Sequence, residues 1–78
     1  MEIKSIIEAL SELQQDTSVP KNIKLQIRQT IETLESDEDI SIRINRALNR
    51  LEEIADDSNM QPYTRTQLFN VVSLLEMI

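Results

Sequence analysis

The stretch Asp39-Ile40-Ser41-Ile42-Arg43-Ile44-Asn45-Arg46-Ala47-Leu48-Asn49-Arg50-Leu51-Glu52-Glu53-Ile54-Ala55 decides the fold. Ile40, Ile44, Ala47, Leu48, Leu51, Ile54 and Ala55 recur at steps of three and four, with charged and amide side chains between them. That is the period of an α-helix with one apolar stripe. Upstream, Ser36-Asp37-Glu38-Asp39 reads as a turn into this helix, because carboxylates favour a helix N-terminus. Downstream, Asp57-Ser58-Asn59 interrupts it, and Pro62 opens a further helix carrying Leu68, Val71, Val72, Leu75 and Ile78.

The same signals repeat toward the N-terminus. Ile3, Ile6, Ile7, Leu10 and Leu13 predict a first helix near residues 2–15, broken by Asp16-Thr17-Ser18-Val19-Pro20. Ser18 is the expected N-cap of the second helix, with Pro20 in its first turn, where a missing N–H costs nothing. Ile23, Ile27, Thr30, Ile31 and Leu34 carry that helix to about Glu35. Residues 1–78 thus predict one all-α domain, a four-helix antiparallel bundle built from two helical hairpins.

Composition agrees. Hydrophobic residues are 40% of the chain but aromatics only 3%, so the core must be aliphatic. There is no glycine, which removes the usual residue for positive φ in phosphate loops, nucleophile elbows and tight hairpin turns. Helix ends are then expected to close with Asn, Asp or Ser. No cysteine means no disulfide, thiolate metal site or thiol nucleophile, and the cytoplasm is the expected location. The apolar runs Val71-Val72 and Leu74-Leu75 are too short to span a bilayer. Glu2 near the start, without a basic flank and long apolar stretch, does not suggest a secretory leader.

The two halves resemble each other. A shift of 41 residues places Ile3 on Ile44, Ile7 on Leu48, Leu10 on Leu51, Leu13 on Ile54 and Asp16 on Asp57. It also pairs Lys24 with Arg65, Ile27 with Leu68 and Leu34-Glu35 with Leu75-Glu76, while Pro20 and Pro62 miss register by one. The period suits a two-helix repeat of the armadillo or HEAT type. Any two amphipathic hairpins would match in their apolar positions, so duplication and coincidence both fit. Two hairpins are too few for a solenoid, which favours a closed bundle.

Two stretches carry a family resemblance: Val19-Pro20-Lys21-Asn22-Ile23-Lys24 and Asn59-Met60-Gln61-Pro62-Tyr63-Thr64-Arg65-Thr66. They resemble the signatures of a small archaeal family, uncharacterised protein family 0147, over nearly the whole chain. The resemblance implies an all-helical protein without an established activity. The family pattern has a proline directly after the Asn-Met pair and a His two residues on. Here Gln61 and Tyr63 occupy those places, and Phe69 stands where the motif ends in Trp.

Catalysis finds little support in the residue types. With neither His nor Cys, the commonest general base and the best protein nucleophile are missing. No activated hydroxyl motif is visible, so the chain is not expected to be an enzyme or to need a cofactor. Asp37, Glu38 and Asp39 lack the alternate ligand spacing and glycine of a calcium loop. They are expected to be solvated capping carboxylates rather than a metal site. Glu52, Glu53, Asp56 and Asp57 gather at a helix C-terminus, where the dipole disfavours them, and Asp57 is expected to cap the loop into the fourth helix.

Two surfaces remain. Lys21, Lys24 and Arg28 share a flank of helix two, and Arg43, Arg46 and Arg50 share one of helix three. Such flanks can track phosphates. A net charge of −6, the lack of interleaved aromatics and the neighbours Asp39–Arg43, Arg28–Glu32 and Arg50–Glu53 weigh against nucleic acid. The other surface is apolar. Leu25 sits opposite the core stripe of helix two. Phe69, Leu74 and Met77 fall outside an inward face made by Leu68, Val71, Val72, Leu75 and Ile78. The expectation is a non-enzymatic interaction module that forms a homodimer through helix four. RNA or DNA contact through the basic flanks is the runner-up.

Overall fold

The computed structural model describes residues 3–78, so Glu2 lies outside the described residues. Four helices follow one another: α1 (Ile3–Gln15), α2 (Lys21–Leu34), α3 (Ile40–Ala55) and α4 (Pro62–Glu76). No strand is present among the described residues. Each helix touches two others. α1 packs on α2 and α4, α3 packs on α2 and α4, and neither diagonal pair is in contact. The helices therefore form a ring around one aliphatic core. Its fully buried large side chains include Ile6, Leu10, Ile27, Leu51, Ile54 and Leu68. The Cα radius of gyration, 11.5 Å, equals the value of about 11.5 Å expected for a compact chain of this length.

Helix starts differ in detail from expectation. Pro20, at φ −59°, is the N-cap of α2 and not a first-turn residue. Ser18 does not cap α2. Its backbone N–H and its Oγ donate to Asp16 Oδ1 at 2.9 and 2.7 Å, closing a local turn before Pro20. A carboxylate two residues upstream is simply nearer than the helix amides. Asp39 does stand at the N-cap of α3, but it makes no side-chain capping bond. Pro62 is at the start of α4, as its fixed φ favours.

Helix ends correct a second expectation. No described residue has positive φ, and the residues after α2, α3 and α4 (Glu35, Asp56 and Met77) stay right-handed. The left-handed cap that glycine usually supplies is absent. Small polar residues only partly replace it, with Ser36 Oγ donating to Thr33 O at 3.0 Å. Arginines of the following helix do more. Arg43 Nη1 donates to Leu34 O at 2.9 Å, bridging from α3 to the end of α2. Arg65 Nε donates to Ala55 O at 3.0 Å and its Nη2 to Asp57 O at 2.9 Å, bridging from α4 to the end of α3. Cations are favoured at these termini because the exposed carbonyls concentrate negative potential there.

The 41-residue shift carries through to packing. Ile6 and Ala47, Leu10 and Leu51, Leu13 and Ile54, Val19 and Met60, and Ile23 and Thr64 are buried in pairs. So are Ile27 and Leu68, Thr30 and Val71, Ile31 and Val72, and Leu34 and Leu75. Every buried residue of the first half has a buried equivalent in the second. Ala55 alone has none in the first, where Gln14 stands. The turns also coincide: Asp57 Oδ1 accepts the Asn59 N–H at 2.8 Å, as Asp16 accepts that of Ser18. Similarity of this kind reaches beyond apolar periodicity, because it includes hydrogen bonds in the loops.

Candidate partner surface

Helix α4 is the most apolar around its circumference. Thr64, Leu68, Val71, Val72 and Leu75 face the core. Phe69 is 50% exposed and Met77 is 79% exposed. At about 100° and 1.5 Å per residue, these two sit about 80° apart around the axis and about 12 Å apart along it. A partner could cover both. Leu74 falls about 140° from Phe69 on the opposite flank, where it is half-buried and packs on the core. Leu25 is 56% exposed but belongs to α2, the helix diagonal to α4. The four apolar residues singled out by sequence therefore do not make one continuous patch.

Two residues expected in the core lie outside it. Ile78 is 46% exposed and lies past the end of α4 at Glu76. Ile40 is also exposed, as the first residue of α3, about two turns before the first buried side chain, Ala47. Ile42 and Tyr63 are exposed hydrophobics that periodicity did not single out. Ile42 breaks the α3 stripe much as Leu25 breaks that of α2, and that break was the available signal. Tyr63, Glu12, Asp16 and Gln67 line a cleft of about 130 Å³ between α1 and α4. Asp16 has its carboxyl held below the usual carboxylate range, first by the Ser18 backbone N–H and then by the Ser18 hydroxyl.

The basic residues sit on α2 and α3, which pack on each other, and have individual commitments. Lys21 and Arg28 are exposed, and Arg28 faces Glu32 at 3.7 Å. Lys24 is half-buried, and its charge adds to the lowering at Asp16. Arg46 pairs with Glu38 at 2.9 Å. The anticipated pairs Asp39–Arg43 and Arg50–Glu53 are replaced: Arg43 reaches Leu34 O, and Arg50 Nη1 reaches Gln29 Oε1 at 3.0 Å. A solvated ion pair on the same helix is worth little, so it does not hold these guanidiniums back from acceptors on α2. Arg46, Asn49, Arg50 and Glu53 line a shallow hollow of about 240 Å³.

Among the acidic residues, Asp37, Glu38 and Asp39 are exposed, and so are Glu52, Glu53 and Asp56. Asp57 closes the turn at Asn59, while the N-cap of α4 is Gln61. Among the described residues no three His, Cys, Asp or Glu side chains gather as metal ligands. No described helix is long and apolar enough to cross a membrane.

An all-helical chain with an aliphatic core, no glycine and exposed aromatics on α4 defines a small helical protein of the archaeal kind that its two signature stretches resemble. The match is direct: the chain belongs to the Uncharacterised protein family (UPF0147), whose family model matches residues 1–78. Among similar proteins, the UPF0147 protein of Pyrococcus furiosus is 42% identical over 78 residues, covering 97% of this chain and 84% of that one. That of Sulfurisphaera tokodaii is 41% identical, covering 97% and 86%. That of Methanocaldococcus jannaschii is 36% identical over 77 residues, covering 97% and 83%. No solved structure matches.

Proposed function

We propose that this protein is a non-enzymatic interaction module of the cytoplasm, an antiparallel four-helix bundle of two hairpins that self-associates through α4. The observation that carries the reading is the exposure of Phe69 and Met77 on a helix whose inner face is already filled. Burying large apolar side chains contributes roughly 1.5–3 kcal/mol each. A symmetric dimer covers both with a second copy of the same surface. Leu74 is largely accounted for by its own core, and Leu25 would serve a separate contact.

Nucleic-acid contact is the weaker reading. Arg43 is spent on a helix end, Arg46 on Glu38, Arg28 on Glu32 and Arg50 on Gln29, which leaves Lys21 and Lys24 on an acidic protein. Sedimentation equilibrium at micromolar concentration tests the preferred reading. The wild type should be a dimer, and Phe69→Lys with Met77→Lys should be a helical monomer. A wild type that stays monomeric at high concentration removes the proposal. Salt-sensitive retention on immobilised RNA, lost in an Arg46→Gln, Arg50→Gln variant, would favour the alternative.

A further inference from the structure

The matched burial of the two halves bears on a surface that the closed molecule hides. The α1–α2 half meets the α3–α4 half along two seams, α2 on α3 and α1 on α4. Covalently they are joined only by residues 35–39. Both inner faces are built from side chains buried at equivalent positions, such as Leu10 and Leu51 or Ile27 and Leu68. Among the described residues, the side-chain hydrogen bonds between the halves are Arg43 to Leu34 O beside the joining segment and Arg50 to Gln29 away from it. The buried parts of both seams are mostly aliphatic, with Glu12, Asp16, Tyr63 and Gln67 lining a cleft along the second.

The joining segment is strongly acidic. Glu35, Asp37, Glu38 and Asp39 place four carboxylates in five residues, and Arg46 pairs with Glu38. A tight turn crowds these like charges, and an extended segment separates them. Beside it, Arg43 Nε is buried with no hydrogen-bond partner among the described residues, an uncommon condition for a donor.

We propose that the face between the halves is an interaction surface for a second copy of this chain. Residues 35–39 open, and two chains exchange their α3–α4 halves. Exchange preserves every contact of both seams, so only the joining segment changes and charge crowding is relieved there. The occupant is a second copy because each inner face already fits the half that such a copy carries. This goes beyond association through Phe69 and Met77, which needs no opening of the fold.

The test uses the full chain with Glu12→Cys and Gln67→Cys, positions that line one cleft between α1 and α4. Protein concentrated to the millimolar range is separated by size, and each fraction is treated with a short bismaleimide. The dimer fraction should give covalently joined chains and the monomer fraction only internal links. Adding Phe69→Lys and Met77→Lys should leave the interchain links in place, which separates this dimer from the surface dimer. Deleting Asp37 and Glu38 should raise the dimer share several-fold, because a shorter segment cannot fold back. Internal links alone in the full-length dimer fraction overturn the proposal, as does the absence of any dimer in the Phe69→Lys, Met77→Lys background. Those two outcomes decide the matter even where the shortened variant does not fold.

Discussion

The first and second halves of this protein share a core and differ in their surfaces. Under the 41-residue shift, each buried residue of α1 and α2 meets a buried residue of α3 and α4. Outside, Phe69 stands where the first half has Arg28, Met77 where it has Ser36, and Tyr63 where it has Asn22. Arg46 and Arg50 stand where it has Ser5 and Ala9. The core positions answer to one demand, since each helix must bury a stripe against two neighbours. The surface positions answer to none in common. What the halves do differently must therefore reside in the outer faces, with α4 apolar where α2 is polar.

The comparison can be broken most severely in the core. Leu10→Ala and Leu51→Ala each remove a fully buried leucine at equivalent positions, and each should cost about 2–5 kcal/mol. Urea denaturation followed by circular dichroism should return similar losses for the two. A large loss for one and a negligible loss for the other would show that the equivalence stops at geometry.

A smaller effect sharpens the difference between Arg65 and its equivalent Lys24. Arg65 donates to two carbonyls at the end of α3, whereas no side-chain hydrogen bond from Lys24 closes the end of α1. Arg65→Met leaves two part-buried carbonyls without their donor and should cost about 1–3 kcal/mol. Lys24→Met should cost less than 1 kcal/mol, in the range of a solvated charge. Equal losses in a denaturant series would remove the capping role assigned to Arg65.

The smallest expected effect concerns the first turn. The Asp16 carboxyl is held below its ordinary value of 3.8 by the Ser18 N–H and hydroxyl. A group whose folded value is lowered adds stability that is present above the unfolded value and fades as pH falls through the folded one. The advantage of wild type over Asp16→Ala should therefore shrink as pH falls below about 4. A difference that holds constant down to pH 2 would contradict this account.

Much of the fold was legible because helices declare themselves locally. Periodic Ile and Leu, a proline at each of two helix starts and polar breaks at 16–20, 35–39 and 56–61 place all four helices to within a residue or two. The surface apolar residues were legible for the same reason: Phe69, Met77 and Leu25 fall off a stripe, and off-stripe residues face solvent unless another element covers them. Leu74 shows the boundary of that rule, since a helix wedged between two others buries more than one stripe.

Sequence alone determined the helix positions, the aliphatic character of the core and the pairing of the halves, all of which rest on residues three to four apart or on a fixed shift. Tertiary structure alone decided which long side chains close the helix ends, because Arg43 and Arg65 act on carbonyls nine and ten residues away across a turn. It also decided that Leu25 and Phe69 lie on different sides, because α2 and α4 are diagonal in the ring. Ile40 and Ile78 are left in solvent for a related reason: burial depends on how far the neighbouring helices extend, and no local pattern records that length.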